Sequence, residues 1–252
     1  LHGIGRRQRQ MCIRDRLPAQ LLTVASVATL TLSFVAAAGA EKPNIVMLIG
    51  DDIDRDTLGP WGGEAITPYL DQLAAEGVKF NRCYATVAMC APFRQELYSG
   101  RTPWRTGAMP NHSQSSNDTK SLPHYLKPLG YRVALLGKGH VGPQEAYPFE
   151  KLGDIPKRED ANPIALERAG KYMAEAKEAG EPFCLVVASH DGHAPFHTHG
   201  DPDAYDPATL TIPRDAIDTP EYRHNLHGNF VEVTHLDKLL GGLRELIAEH
   251  EL

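Results

Sequence analysis

The sequence has little excess charge and no internal repeat or low-complexity tract. Its 252 residues carry a formal net charge of −6 at pH 7. This excludes a protein-wide nucleic-acid-binding surface, because such surfaces are strongly basic. With 42% hydrophobic and 23% charged residues, the composition is typical of a globular chain with one sizeable core, and it argues against intrinsic disorder.

Cysteine is also scarce. Of four cysteines, Cys12 lies in a segment that we exclude from the fold below, which leaves Cys83, Cys90 and Cys184. If Cys90 is used for chemistry, Cys83 and Cys184 are free to pair in an oxidising compartment. The sequence leaves that pairing open.

The N-terminal region has the features of a leader rather than of a folded domain. Residues 1–16 show no hydrophobic period, and we interpret them as a non-native sequence artefact. Residues 17–40 contain a long apolar stretch that ends in the small residues Ala38-Gly39-Ala40. This predicts a secretory signal peptide and a secreted or periplasmic protein. A transmembrane anchor is the alternative, since ~20 residues span a bilayer, but the many small residues favour cleavage and no stable membrane anchor.

Short apolar runs alternate with helical patterns in residues 41–252. The patterns predict strands at 44–49, 132–136 and 183–188, and helices at 68–76, 123–130, 163–180 and 222–249. Asn162 is the expected cap of the third helix, and Gly241-Gly242 is expected to interrupt the fourth. The alternation predicts an α/β fold with a mainly parallel sheet sandwiched by helices.

Chemically active residue types follow the predicted strands. Asp51 and Asp52 follow the first strand, Lys138 and His140 the second, and His193 the third. Ligands of open α/β sheets bind beyond the carboxyl ends of the strands, so these side chains should converge. Adjacent carboxylates suit a hard cation such as calcium or magnesium, although an isolated Asp-Asp is more often a polar turn. The glycine-flanked Lys138 and His140 are expected to be little packed and free to meet an anion.

A second motif runs from Cys90-Ala91-Pro92-Phe93-Arg94 to Ser99-Gly100-Arg101. Pro92 suits the first turn of a helix from about residue 94 to 99, and Gly100 suits its end. Cys90 then lies at a helix N-terminus, which favours an anion. A buried structural cysteine is the alternative. The segment resembles the C-x-P-x-R signature of the formylglycine-dependent sulfatases of the alkaline phosphatase superfamily.

The resemblance covers essentially all of residues 42–252 and implies a set of roles. In that family the cysteine is oxidised to formylglycine by a formylglycine-generating enzyme, and the hydrated aldehyde attacks sulfur. The resemblance implies calcium ligands at Asp51, Asp52 and the modified Cys90. It also implies catalytic roles for Cys90, Arg94, Lys138, His140 and His193.

The histidines at 190, 193, 197 and 199 form a dense tract, for which zinc binding is a rival interpretation. His193-Ala194-Pro195 resembles the H-x-P element of sulfatases, so we expect His193 to be functional. The others are then expected at surface or supporting positions. This element follows the general sulfatase pattern, whereas Tyr147-Pro148-Phe149 is most similar to the heparan N-sulfatase (sulfamidase) subgroup.

The resemblance therefore implies hydrolysis of sulfate esters or N-sulfates, with sulfated carbohydrates as the expected substrates. A phosphomonoester or phosphodiester hydrolase of the same superfamily is the alternative enzyme. A non-catalytic carbohydrate-binding protein is the alternative outside enzymes. Chains of the family continue past this point with further metal ligands, so the sequence is expected to be the N-terminal part of a catalytic domain and to be inactive by itself.

Overall fold

A parallel sheet lies at the centre of the structure, a computed structural model that describes residues 42–196 and 199–252. Its described strands are β1 (Ile45–Ile49), β2 (Arg132–Gly137), β3 (Glu150–Lys151) and β4 (Phe183–Ala188), in the order β1-β4-β2-β3. In the register of the sheet, Ala188 pairs with both Ile49 and Gly137. The three long strands therefore end at the same level, which brings the segments that follow them to one edge.

Helices cover the sheet on both faces. They are α1 (Pro68–Glu76), α2 (Cys90–Ser99), α3 (Pro103–Thr106), α4 (Leu122–Leu126), α5 (Ala161–Ala179) and α6 (Pro220–Glu249), with 3₁₀ turns at Arg55–Thr57, Gly59–Trp61, Lys127–Leu129 and Pro202–Ala204. Among the described residues, none of the helices combines the length and apolarity needed to cross a membrane. The predicted artefact at 1–16, the predicted signal peptide at 17–40 and His197 lie outside the described residues.

The two faces of the sheet carry separate apolar clusters because side chains alternate along each strand. Leu136 and Leu185 face one cluster with Met173 of α5 and Leu239 of α6. The main members of the other cluster are Val133, Leu135, Cys184, Val186, Tyr98, Tyr147 and Phe149. This arrangement confirms the predicted parallel α/β sandwich.

The cysteines do not pair in the described part of the chain. Cys184 is fully buried in the second cluster, whereas Cys83 is exposed. Burial raises the pKa of the Cys184 thiol to about 11, so this cysteine behaves as a small core residue.

The helices differ from the sequence-based expectation at several places, and the helix predicted at 123–130 is α4 followed by the 3₁₀ turn Lys127–Leu129. Helix α2 begins at Cys90 itself, with Met89 as the N-cap. Helix α5 is capped by Asp160, and Asn162 lies inside it, where its Nδ2 donates to the His235 carbonyl at 2.8 Å. Helix α6 runs unbroken through Gly241-Gly242. These glycines permit close packing: an added Cβ would lie 2.6 Å from the Tyr69 ring at Gly241 and 2.5 Å from the Leu166 side chain at Gly242.

The two glycines that flank Lys138 offer a matched test of how β2 ends. Gly137 has a φ of +90°, and an added Cβ would lie 2.1 Å from the Ala188 carbonyl oxygen. A left-handed backbone costs an L-residue roughly 1–2 kcal/mol, and overpacking typically costs about 1–3 kcal/mol. We therefore expect Gly137→Ala to lower the free energy of unfolding by about 2 kcal/mol or more, measured by urea denaturation.

The control is Gly139→Ala, because the nearest atom to an added Cβ there is Lys151 Nζ at 3.5 Å. Its stability should stay within about 0.5 kcal/mol of the parent. Equal stability of the two variants would contradict this account of the strand end.

Candidate active site

Three charged side chains from separate elements meet beyond the carboxyl ends of the strands. Asp51 follows β1, Lys138 follows β2 and Arg94 lies in α2, and all three are at most 5% exposed. Lys138 Nζ donates to Asp51 Oδ2, and Arg94 Nη2 donates to Asp51 Oδ1 at 3.3 Å. Arg94 also donates to the Lys138 carbonyl at 3.1 Å. Asp51 and Lys138 thus meet beyond the carboxyl ends of the strands, as predicted, and Arg94 joins them from α2.

The buried carboxyl of Asp51 is held ionised by its two cations. Burial alone would raise its pKa, but the hydrogen bond from Lys138 and the charge of Arg94 outweigh burial and lower the pKa. Two cations and one carboxylate leave this cluster with an excess of positive charge. The expectation that Lys138 would be little packed was wrong, because Asp51 draws its ammonium group into the interior.

Cys90 is the first residue of α2, and it is only partly buried. Its Sγ lies 3.5 Å from Asn111 Oδ1. Arg94 is one helical turn further on, so both side chains lie on the same side of α2. Pro92 lies in the first turn, where its missing N–H removes no helical hydrogen bond.

A large cavity opens beside Cys90. It has a volume of about 920 Å³, and Asp51, Asp52, Cys90 and Arg94 are among its lining residues. Much of the remaining wall is apolar and includes Trp61, Leu73, Val78 and Phe80. Lys138, His140 and His193 are not among the described residues that line this cavity.

Asp52 and His193 form a separate, exposed pair. The Nε2 of His193 lies 3.7 Å from Asp52 Oδ2. Asp52 has a φ of +54°, so the chain turns sharply between the two aspartates, and only Asp51 enters the buried cluster. Lys157 Nζ donates to the carbonyl oxygens of His193 and Pro195, and these two hydrogen bonds hold the backbone of the loop.

His140 lies close enough to the cationic cluster to feel its charge. Partial burial lowers its pKa, and the positive charges of Lys138 and Arg94 act in the same direction. Its ring packs edge-to-face on His112, with 5.5 Å between the ring centroids. His140 is therefore neutral at pH 7 and able to accept a proton.

Sequence reasoning missed several polar residues near these groups. Asn111 contacts Cys90, and His112 contacts His140. Both lie in a turn after the C-x-P-x-R motif, and their polarity was the only feature of the sequence that indicated a role. His199 was expected at a surface or supporting position, and it is not at the surface: it is 3% exposed and bonds to Asp191. His190 bonds instead to Asp154, at 3.0 Å.

Comparisons with known proteins show the family of the chain. The family model described as Sulfatase matches residues 43–252, and the chain belongs to that family. The sequence is 34% identical over 174 residues to an ulvan-active sulfatase of Formosa agariphila, covering 68% of this chain and 34% of that protein. It is 28% identical over 235 residues to human N-sulphoglucosamine sulphohydrolase, covering 80% of this chain and 46% of that protein.

The fold is also similar to that of solved structures. The solved structure of YidJ from Bacteroides fragilis, described as a candidate sulfatase, superposes with a TM-score of 0.72 at 20% identity. The match covers 84% of this chain and 60% of that one. The fold is therefore the alkaline-phosphatase-like fold of sulfatases, as the sequence resemblance implied, and the chain spans less than half the length of the two curated relatives.

The buried cluster generates a stability prediction. Lys138→Met should cost about 3 kcal/mol at pH 7, because breaking a buried ion pair costs about 3–5 kcal/mol and Arg94 still compensates Asp51. The pKa of Asp51 is lower in the folded protein than its value of about 3.9 in the unfolded protein. The stabilisation that the ionised Asp51 provides is therefore complete above about pH 3.9 and is lost as the pH falls through the folded pKa. The difference between variant and parent should therefore shrink below about pH 4.

Asp51→Asn provides the control background for urea denaturation. In that background, Lys138→Met should cost clearly less, because no buried carboxylate is left without its partner. An equal cost in both backgrounds would show that Lys138 stabilises the fold by packing alone.

Proposed function

We propose that this chain supplies most of the active site of a sulfatase that hydrolyses sulfate esters or N-sulfates of carbohydrates. The observation that carries the proposal is the position of Cys90. It is the first residue of α2, lies within the C-x-P-x-R motif, and lines the same cavity as Asp51, Asp52 and Arg94. A nucleophile at this place has a helix N-terminus and a cationic cluster on one side and open space for a substrate on the other.

The proposal includes oxidation of Cys90 to formylglycine by a formylglycine-generating enzyme. Formylglycine supplies a hydrated aldehyde as the nucleophile toward sulfur, and such covalent catalysis divides one difficult hydrolysis into two easier steps. The partly exposed position of Cys90 on a cavity wall fits this chemistry. Phe93 stands in the variable place of the motif, and the three fixed places are Cys90, Pro92 and Arg94.

The aspartates fit a calcium ion. Asp51 is held ionised, and each carboxylate oxygen has a second lone pair beyond the one that accepts from Lys138 or Arg94. Asp52 lines the same cavity with its own carboxylate oxygens, and hard oxygen donors are what calcium prefers. Calcium at Asp51 and Asp52 would add positive charge next to the substrate's sulfate group.

The remaining residues have separable roles. Lys138 and Arg94 place positive charge at the strand ends, where it offsets the charge of a sulfate group. His140, which is neutral at pH 7, accepts a proton through a ring nitrogen. His193, on the exposed loop opposite Asp52, donates a proton to the departing alcohol or amine.

The proposal also covers the class of substrate and the cellular location. The similarity to one ulvan-active sulfatase and one N-sulphoglucosamine sulphohydrolase supports a sulfated carbohydrate, with the choice between O- and N-sulfate decided by experiment. The apolar stretch at residues 17–40 supports export to the periplasm or the exterior. A phosphoester hydrolase would be expected to carry serine or threonine where this chain has Cys90.

Peptide mass spectrometry tests the nucleophile. When the protein is produced together with a formylglycine-generating enzyme, the peptide containing Cys90 should carry an aldehyde or its hydrate in place of the thiol. Cys83, which is exposed and lies only seven positions earlier, is the internal control and should remain a thiol. An unmodified Cys90 under verified co-expression would overturn the assignment.

Kinetics test the two histidines in the full-length protein. His140→Ala and His193→Ala should each slow sulfate release by about 10²–10⁴-fold, as loss of a proton-transfer group does. Because the pKa of His140 is lowered, the parent should keep its activity to a pH below 6.5, the ordinary histidine value.

The substrates are an aryl sulfate, an N-sulfated glucosamine and an aryl phosphate. His190→Ala is the control, since His190 bonds to Asp154, and it should lose far less activity. A preference for the phosphate would favour the alternative hydrolase, and no turnover by a protein with converted Cys90 would favour a carbohydrate-binding role.

A further inference from the structure

Three buried side chains outside the proposed active site converge between the loop after β4 and helix α6. Asp191 Oδ1 is 2.5 Å from His199 Nε2 and 3.1 Å from His235 Nδ1. One ligand atom from each residue lies within 4.8 Å of the other two. The side chains are at most 9% exposed. Neither Asp191 nor His235 was singled out by the sequence, because they are 44 residues apart.

We propose that Asp191, His199 and His235 form a binding site for a zinc-type transition metal ion. Two imidazole nitrogens and one carboxylate oxygen are the donor set that zinc takes from proteins, and both ring nitrogens of histidine serve as ligands. Calcium is a poor fit, because it requires six to eight oxygens. The ion would be distinct from the calcium proposed at Asp51 and Asp52.

The distances need little change to admit the ion. With bonds of 2.0–2.2 Å, a tetrahedral ion holds its ligand atoms about 3.3–3.5 Å apart. The Asp191 oxygen is already 2.5 and 3.1 Å from the two ring nitrogens, so each pair would open by less than about 1 Å. The ion takes the place of the ring protons between these atoms, and each proton leaves for solvent or moves to the other nitrogen of its ring.

A fourth residue supplies a second, independent observation. Glu232 is fully buried, and its Oε1 has no hydrogen-bond partner among the described residues. Its Oε2 accepts from the Gly192 N–H at 3.0 Å and lies 3.8 Å from Lys157 Nζ. Glu232 precedes His235 by three residues in α6, which puts both on the same side of the helix. A buried, unsatisfied carboxylate oxygen is costly, and a nearby ion would relieve that cost as a fourth ligand or through its charge.

The charges of the cluster also suit a divalent cation. Burial would raise the pKa of Asp191, but hydrogen bonds from His199 and His235 outweigh it and lower the pKa. Burial raises the pKa of Glu232. Two carboxyl groups therefore share one buried region with Lys157 as the neighbouring fixed cation. A divalent ion would balance both in their ionised forms.

Outer contacts hold the proposed ligands in place. Ser189 Oγ donates to Asp191 Oδ2 at 2.6 Å, and Asn162 Nδ2 fixes the backbone of His235 from α5. Such supporting partners orient metal ligands in known sites. An ion here would join α6 to the loop that carries His193 and would give the site a structural role.

The test is metal analysis of the full chain after chelator treatment and re-addition of zinc. We expect one tightly bound zinc per chain by elemental analysis. His235→Gln and His199→Gln should each weaken zinc binding by at least about 100-fold, since even supporting partners are worth about 10–100-fold. Ser189→Ala should weaken it by about tenfold. His190→Gln, a histidine of the same loop that bonds to Asp154, is the control and should bind as the parent does.

Two measurements keep the result decisive if a variant fails to fold. The parent protein loaded with cobalt should show the intense visible absorption of tetrahedral coordination, and X-ray absorption of the zinc form should show two imidazole ligands. Asp51→Asn should retain the zinc, which separates this site from the proposed calcium site. No stoichiometric zinc in the folded parent, or equal binding by folded His235→Gln, would overturn the proposal and leave a metal-free hydrogen-bonded cluster.

Discussion

The candidate active site depends on one buried carboxylate. Asp51 is the only negative charge in direct contact with both Lys138 and Arg94 among the described residues. Each cation would be costly to bury alone, and Asp51 would be equally costly without them. The three therefore fix one another and, through their backbones, fix the ends of β1 and β2 and the first turn of α2. Cys90 takes its position from that turn.

The loop after β4 is fixed by a second set of buried polar contacts. Asp191 joins it to His199 and His235, and Lys157 supports it through the carbonyl oxygens of His193 and Pro195. His193 itself remains exposed opposite Asp52. An exposed side chain is thus carried by a backbone that is held from the inside, which gives the surface loop a defined geometry.

The regular elements could be predicted from local sequence because their signals are local. Strand β4 runs from Phe183 to Ala188 as predicted, because a strand that is buried on both faces is a continuous apolar run in the sequence. Helix α6 shows the limit of such reasoning. Gly241-Gly242 lowers helix propensity, yet the helix continues because Tyr69 and Leu166 need the space that the glycines leave. Packing from distant residues overrides local preference.

The sequence by itself determined the residue types of the candidate site and the edge of the sheet where they gather. Motif chemistry and the strand-end rule depend only on order along the chain. The tertiary structure alone decided which side chains are buried. Lys138 is interior because Asp51 faces it, Asp52 is exposed because the backbone turns after Asp51, and His199 is interior because His235 of α6 lies across from it. Burial and charge pairing depend on contacts between distant segments, and no local pattern encodes them.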